Sequence, residues 1–455
     1  LSFSKLQNQL GKNFLDRTFL EQYRKPKGSR TNENFSKLEF VVSPVCNLGC
    51  KYCYINRYGD DLYPKELIDD DTILENTSLI LDWLIKNEMT PDLELFSGEL
   101  FAQKVGFKIY NLIYNKYKDL DDKLKPRIIT SPTNYTFLLK KDITDRVEDI
   151  IDKFESINIR VGLSASVEGR YMEQNRPINH KFDSEYYDYE VESGSRDEEY
   201  YDKLFSFNKK HNMGFHPMVY SSGIEYWIDN FIWFQEKFDE YNFPFYQIYL
   251  LEVRNEEWSD RQIKDFCEFI EFLIRWTYEN PCNGSDRRFS NFIFRQRGYN
   301  ILSKPFTSIG RGLGCSLQSD IYLRLGDLSF FPCHRTMYPQ FKLGEFVKES
   351  GKIKDIKVEN PELLTSIISM DSNNWPGCET CIVKYSCSKG CVGSQFESTG
   401  ELFTPIPSVC KLEHNYLYTV AKTCKDIGVF ESLVSRTQES RAYGIRKILE
   451  IGGSL

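Results

Sequence analysis

The chain has 455 residues, a formal net charge of −8, and 41 % hydrophobic and 27 % charged residues, an ordinary globular composition with length for more than one domain. The acidic balance, without a long basic run, argues against nucleic acid as the main partner. The opening LSFSKLQNQLGKNFLDRTFL is broken by polar residues, and nothing later supplies the roughly 18 uninterrupted apolar residues of a spanning helix, so no signal peptide, no membrane anchor and a cytoplasmic location are expected.

From about residue 38 short β-rich runs alternate with helical patterns. LEFVVSP (38–44) reads as a buried strand, and DTILENTSLILDWLIKNE (71–88) spaces its apolar residues as a helix does. DLELFSG, RIITSPTN, NIRVGLSAS, GFHPMVYSS and FYQIYLLEVRN continue the strands, with helical segments centred near residues 112, 148, 203, 233 and 270. Six such units imply parallel strands joined by helical crossovers. A closed barrel needs two more, and the periodicity stops after Asn280. The expected fold is therefore α/β: a partial (β/α)6 TIM-like barrel with its chemistry at the C-terminal strand ends, followed by a small cysteine-rich module and a C-terminal helix. The expected divisions are an N-terminal extension (1–37), the barrel (38–280), a linker (281–314), the cysteine-rich domain (315–415) and a helical tail (416–455). One stretch, KFDSEYYDYEVESGSRDEEYYD (181–202), is rich in acid and tyrosine and reads as a solvated, partly mobile insertion.

Thirteen cysteines without a secretion signal point to metal or reactive thiols rather than disulfides. Cys46, Cys50 and Cys53 lie in VCNLGCKYC, in the loop after the first strand, with no histidine nearby in the sequence. A structural zinc site wants four ligands. A 4Fe-4S cluster held by three thiolates leaves one iron open to a substrate or cofactor, and Gly49 is expected to let the loop curve.

CNLGCKYC resembles the CxxxCxΦC loop of radical S-adenosylmethionine (radical SAM) enzymes, with Tyr52 at the aromatic position. The resemblance implies that the open iron binds S-adenosylmethionine and that a 5′-deoxyadenosyl radical then abstracts hydrogen from a substrate. FSGEL (96–100) is similar to the family's GGE segment, retaining Gly98 and Glu99, with Ser97 for the first glycine and Leu100 for the usual proline. SVEG (166–169) is similar to the S-I-D-G segment, with Ser166 kept and Glu168 in place of Asp. Asn175, Arg176 and Pro177 match a downstream N-R-P, and Asn134 matches a T-N segment. Tyr52, Ser97, Gly98, Glu99, Asn134, Ser166, Glu168 and Arg176 are thereby implied cofactor contacts.

Cys378, Cys381, Cys387 and Cys391 form CxxC, five residues, then CxxxC, and Cys410 follows. With Cys315 and Cys333 this resembles the SPASM extension of radical SAM enzymes, which carries two auxiliary 4Fe-4S clusters. The resemblance gives Cys378, Cys381, Cys387 and Cys410 to an outer cluster and Cys315, Cys333 and Cys391 to an inner one, three clusters in all. The inner set lacks a fourth cysteine, for which Cys282 and Cys424 are candidates, while Cys267 reads as a core residue. Gly326 stands two residues further from Cys333 than is usual, so a longer turn is expected. Paired zinc ribbons are the alternative.

The resemblance implies a maturase of a ribosomally made peptide that forms a thioether or carbon-carbon crosslink, supplied with electrons by a reductant such as flavodoxin or ferredoxin. A sister group makes formylglycine in sulfatases and places Asp after the cysteine equivalent to Cys333. Here the neighbour is His334, a candidate proton acceptor. Peptide epimerisation within the same fold, and a non-catalytic electron carrier or zinc-stabilised scaffold, are the other readings. Since 37 residues precede the first strand, recognition of a precursor leader is expected to use a separate leader-binding protein or the barrel surface, with the acidic loop (181–202) as the contact.

Overall fold

A computed structural model describes residues 37–64, 69–179, 185–243, 251–252, 258–279, 305–306, 317, 320–387 and 389–452. Two compact units emerge: Leu1–Ala165 with Arg176–Leu204 and Ser316–Ser369, and Ser166–Asn175 with Phe205–Cys315 and Met370–Leu455.

The repeat begins with β1 (Lys37–Val41), after which the chain forms α1 (Tyr54–Leu62) and α2 (Asp70–Lys86). β2 (Asp92–Phe96), α3 (Lys104–Tyr117), β3 (Ile128–Thr133), α4 (Lys141–Glu155), β4 (Arg160–Ala165) and α5 (Glu198–His211) follow. The fifth strand is split into β5 (Gly214–Phe215) and β6 (Met218–Val219) before α6 (Trp227–Glu240). β7 (Leu251–Glu252) and α7 (Asp260–Glu279) complete six units, the order of a partial (β/α)6 TIM-like barrel. Most of the expected sixth strand lies outside the described residues.

Local chemistry sets the ends. Asp69 caps α2 by accepting the Thr72 amide at 2.8 Å, with Asp70 and Asp71 in the first turn and Lys86 in the last, as the helix dipole favours. In the first unit the strand order is β11-β10-β9-β8-β1-β2-β3-β4, where β8 is Ile321–Arg324, β9 Ser329–Phe331, β10 Gly344–Glu349 and β11 Lys352–Val358. β1 pairs in parallel with both β2 and β8, so residues from the cysteine-rich stretch extend the barrel sheet beyond its first strand. Alternation along the strands separates two faces. Leu38, Phe40, Leu93, Leu95, Ile129, Val161 and Leu163 form an apolar face, on which α4 packs against β4. Lys37, Glu39 and Glu94 point to the opposite face.

The β8–β9 turn, which contains Gly326, is fixed from α2: buried Asn76 donates Nδ2–H to the Leu325 carbonyl at 2.7 Å, while Asp327 accepts from Arg324 and the Ser329 amide. In the second unit β6 and β7 pair in parallel. α8 (Pro361–Ser369) belongs to the first unit, whereas α9 (Val392–Thr399), α10 (Pro407–Asp426), α11 (Phe430–Val434) and α12 (Glu439–Glu450) belong to the second, where α10 packs against α7 and α12. Cys410 thus shares a helix with the start of the expected tail. No described helix is long and apolar enough to cross a membrane.

Replacing Asn76 by Ala leaves the Leu325 carbonyl without its buried donor, at an expected cost of about 1–3 kcal/mol. A lowered urea midpoint is the expected result, and an unchanged one would remove Asn76 as the anchor of this turn.

Candidate functional site

Residues 43–53 run from β1 into α1 without forming a ladder strand. Gly98 and Glu99 donate their amides to the carbonyls of Ser43 and Val45, both at 2.9 Å. A Cβ on Gly98 would sit 2.3 Å from the Val45 carbonyl oxygen and 2.4 Å from that of Pro44, so only glycine permits this approach. Gly49 has no such constraint: its φ is not positive, and a Cβ there would make ordinary contact, 3.8 Å from the Pro177 carbonyl oxygen. The expectation that Gly49 lets the loop curve is corrected: loop shape depends on the close approach at Gly98.

Gln103, which the motifs do not include, binds this junction together. Its Nε2 donates to the Val45 carbonyl at 2.7 Å and to Ser97 Oγ at 2.6 Å, while Oε1 accepts from Ser43 Oγ at 2.9 Å. Ser97 Oγ in turn donates to the Ser43 carbonyl at 2.8 Å, so the hydroxyl is turned into the backbone.

Glu99 is 1 % exposed. Its carboxylate accepts from Thr133 Oγ1 at 2.8 Å and from the amides of Asn134 at 2.5 Å and Phe101 at 3.2 Å. Burial outweighs these donors and pushes its pKa up to about 7. Asn134 Nδ2 donates to Asn47 Oδ1 at 2.8 Å, and Thr136 bridges both asparagines and Tyr189.

A third segment closes over the loop. The Gly49 amide donates to the Pro177 carbonyl at 2.7 Å, and Leu48 and Ile178 form an antiparallel bridge. Asn179 Nδ2 and the Tyr187 hydroxyl donate to the Cys46 carbonyl at 3.1 and 2.9 Å. Arg176 donates to Cys50 Sγ at 3.7 Å, and its guanidinium lies over the Tyr52 ring. The solvated-loop reading of residues 181–202 is corrected for its described part. Tyr187, Tyr189 and Val191 are buried, residues 186 and 188 bond to the backbone around Ala102, and α5 begins at Glu198. Tyrosine offers an apolar ring and a polar tip, so a tyrosine-rich acidic stretch can bury one side while its acids face water. Residues 181–184 lie outside the described residues.

The cysteines differ in a way spacing does not reveal. The amide two residues on donates to sulfur at Cys46 (from Leu48, 3.5 Å), Cys333 (from Arg335, 3.4 Å) and Cys387 (from Lys389, 3.2 Å). Burial, then Cys50 and Glu99, push the Cys46 thiol up, so a thiolate there needs a positive partner.

His334 follows Cys333 at the end of β9. Its Nδ1 lies 2.7 Å from Glu39 Oε1, on a strand residue only 2 % exposed. The ring stacks on Phe96 at 4.2 Å and on Tyr54 at 5.8 Å. Tyr54 directly follows Cys53, and the Arg335 guanidinium, two residues after Cys333, lies 5.3 Å over its ring, so the two cysteine segments meet about Tyr54. With Nδ1–H donated to the carboxylate, Nε2 is the remaining acceptor.

In the second unit, Ser166 is half-buried and Glu168 buried, and Asn230 Nδ2 donates to the Glu168 carbonyl at 2.5 Å. Gly169 has φ +101°, and a Cβ would lie 2.5 Å from Asn230 Oδ1. Burial, and then Cys378 and Cys381, push the Cys410 thiol up to about 11. His414, one turn after Cys410 on α10, places Nε2 3.5 Å from Cys381 Sγ, and burial holds its pKa low. Cys391 caps α9. Cys424 stands about 21 Å along α10 from Cys410 at 1.5 Å per residue, and burial alone pushes its thiol up to about 12. Its expected place as fourth ligand of the inner set involves Cys315, which lies outside the described residues. Cys267 is likewise pushed up by burial, to about 11, with Thr419 as hydrogen-bond partner. Cys282 and Cys315 lie outside the described residues.

Among the described residues no three His, Cys, Asp or Glu side chains converge on one ion, whereas cluster thiolates occupy separate corners of a cube. By donor chemistry alone, three thiols at Cys46, Cys50 and Cys53 are of the kind that would hold a cluster, and the desolvated Glu99 carboxylate is of the kind that would take an ammonium.

No family model and no curated protein matches the chain. Among solved structures, anSMEcpe with bound AdoMet is similar over 91 % of this chain and 98 % of that one, with a TM-score of 0.57 at 16 % identity. Native anSMEcpe with bound AdoMet and Cp18Cys peptide is similar over 86 % and 99 %, with a TM-score of 0.52 at 18 % identity. These likenesses show that the chain shares the fold of anSMEcpe.

Glu99 also predicts a pH dependence for the metal-free chain. Its folded pKa is raised from 4.5 to about 7, so the stability it contributes is full below 4.5 and is lost as pH rises through 7, about 3 kcal/mol in all. Glu99→Gln should flatten that part of the melting-temperature profile between pH 4.5 and 7.5. An identical slope in the variant would show that Glu99 does not titrate there.

Proposed function

We propose that this chain, with its radical SAM fold, is a radical SAM/SPASM maturase that oxidises a ribosomally made peptide and forms a thioether or carbon-carbon crosslink. The observation that carries the reading is the Cys46, Cys50 and Cys53 loop, held from three sides beside a buried Glu99 carboxylate. In this reading residues 38–280 are the catalytic barrel and 315–415 the auxiliary module, working in the cytoplasm with a flavodoxin- or ferredoxin-type reductant.

Cys46, Cys50 and Cys53 would hold the first cluster; Cys378, Cys381, Cys387 and Cys410 the outer one; Cys315, Cys333 and Cys391 the inner one. When bound, the first cluster and S-adenosylmethionine supply the radical that removes a hydrogen atom from the peptide. Glu99 receives the ammonium of S-adenosylmethionine, with the Gly98 approach and the Gln103 bonds fixing its backbone. Tyr52 and Arg176 cover the cysteine loop. Asn134 secures both Glu99 and Asn47, and Ser166 and Glu168 are further cofactor contacts. His334 is the proton acceptor: Glu39 holds Nδ1–H, the Phe96 and Tyr54 rings fix the plane, and Nε2 takes the proton. The net change is loss of two hydrogens, one as an atom and one as a proton with an electron passed to the auxiliary clusters.

A second reading, formylglycine formation, draws on one observation: a structure of like fold was solved with Cp18Cys peptide, which favours a cysteine side chain as the oxidised group. His334 in place of Asp weighs against it.

The test is anaerobic incubation of the iron-reconstituted protein with S-adenosylmethionine, a reductant and the short peptide encoded beside it. The expected products are 5′-deoxyadenosine and a peptide lighter by two hydrogens. Cys46→Ala, Cys50→Ala and Cys53→Ala combined should abolish the nucleoside, and its persistence would refute the cluster assignment. A one-unit mass gain in deuterated solvent would indicate epimerisation instead. His334→Ala should lower peptide product by about 100-fold or more while 5′-deoxyadenosine still forms. Equal loss of both products would deny His334 a separate proton role.

A further inference from the structure

The cysteine set of the second unit is accompanied by two groups that the motifs do not include. His414 lies four residues beyond Cys410, on the same face of α10, and its Nε2 is 3.5 Å from Cys381 Sγ. A thiolate at Cys381 has no proton to give, so with Cys381 as a cluster ligand the Nε2–H of His414 is the donor. Lys389 lies between Cys387 and Cys391 and is 5 % exposed. Its ammonium donates to the carbonyls of Lys384 and Cys387, and its backbone amide donates to Cys387 Sγ at 3.2 Å. Among the described residues no carboxylate pairs with it, and the cysteine it touches is Cys387. Burying an ammonium without an anion costs several kcal/mol, so this lysine calls for negative charge at the cysteines themselves.

We propose that His414 and Lys389 are positioning residues for the outer auxiliary cluster and raise its reduction potential; the inference rests on the cluster assignment proposed above. Reduction adds one electron to the cluster. Its sulfurs become more negative, so an N–H donor on Cys381 and a buried cation beside Cys387 favour the reduced state over the oxidised one. The outer cluster is thereby prepared to accept an electron rather than to deliver one.

The test is a redox titration of the full-length, iron-reconstituted protein, followed by electron paramagnetic resonance, with iron content measured in every sample. His414→Leu and Lys389→Met should each shift one cluster's midpoint to lower potential. The signal lost in the combined Cys46, Cys50 and Cys53 to Ala variant should keep its midpoint. His414→Gln, which retains an N–H donor, and Lys389→Arg, which retains the charge, should stay nearer the parent. If His414→Leu fails to retain iron, Lys389→Met carries the comparison alone. Fully loaded variants with unshifted midpoints would overturn the proposal while leaving the cluster assignment standing. If Cys378→Ala with Cys381→Ala and Cys410→Ala loses no iron relative to the parent, the assignment itself fails, and the inference falls with it.

Discussion

The segment from Ser43 to Leu48 belongs to no ladder, and the rest of the candidate site depends on how its polar backbone is satisfied. A buried carbonyl or amide without a partner costs more than a made hydrogen bond returns, so a loop at this depth keeps one shape only where neighbours supply donors and acceptors. Here they come from the end of β2, from Gln103 and from the strap of residues 176–187. Gly98 allows the first of these by leaving the space a Cβ would fill. The three thiols are thus placed by backbone constraints set mainly by other segments.

The polar face of the first sheet carries a second constraint. Lys37 pairs with Glu94 and lies 3.9 Å from Asp320, while Glu39 is engaged by His334. Burial raises the Glu94 carboxyl even with Lys37 beside it. Three acids and one lysine near the start of the sheet make this face hospitable to cations, whereas its upper end, with Phe96, Tyr54 and His334, is aromatic.

Much of this was legible in the sequence, and the failures share a cause. The βα alternation is local and appears as periodicity, so α2, α3, α4, α6 and α7 fall where the patterns place them. The Cys46, Cys50 and Cys53 loop is likewise a local spacing. The pairing of β8 with β1 joins residues almost 300 positions apart, and nothing in ILE-TYR-LEU-ARG at 321–324 names its neighbour. Gln103 looks like an unremarkable polar residue before a helix until its amide is seen between two strand ends. Glu39 carried a signal that was available: a carboxylate inside the apolar run LEFVV must find a donor. The tyrosine-rich stretch misled because composition weighs its acids, whereas packing follows its rings.

The two histidines show how far residue type falls short of role. His334 gives Nδ1 to a buried carboxylate and stacks between aromatic rings, which keeps its other nitrogen as an acceptor. His414 has its Nε2 on a cysteine sulfur. The first ring is held by an oxygen and two aromatic faces, the second by a sulfur. His414 was readable in principle: four residues after Cys410 on a helix, it has to share that cysteine's face. His334 was not readable in this way, because its partner Glu39 lies 295 residues away, across a strand pairing that only the folded sheet supplies.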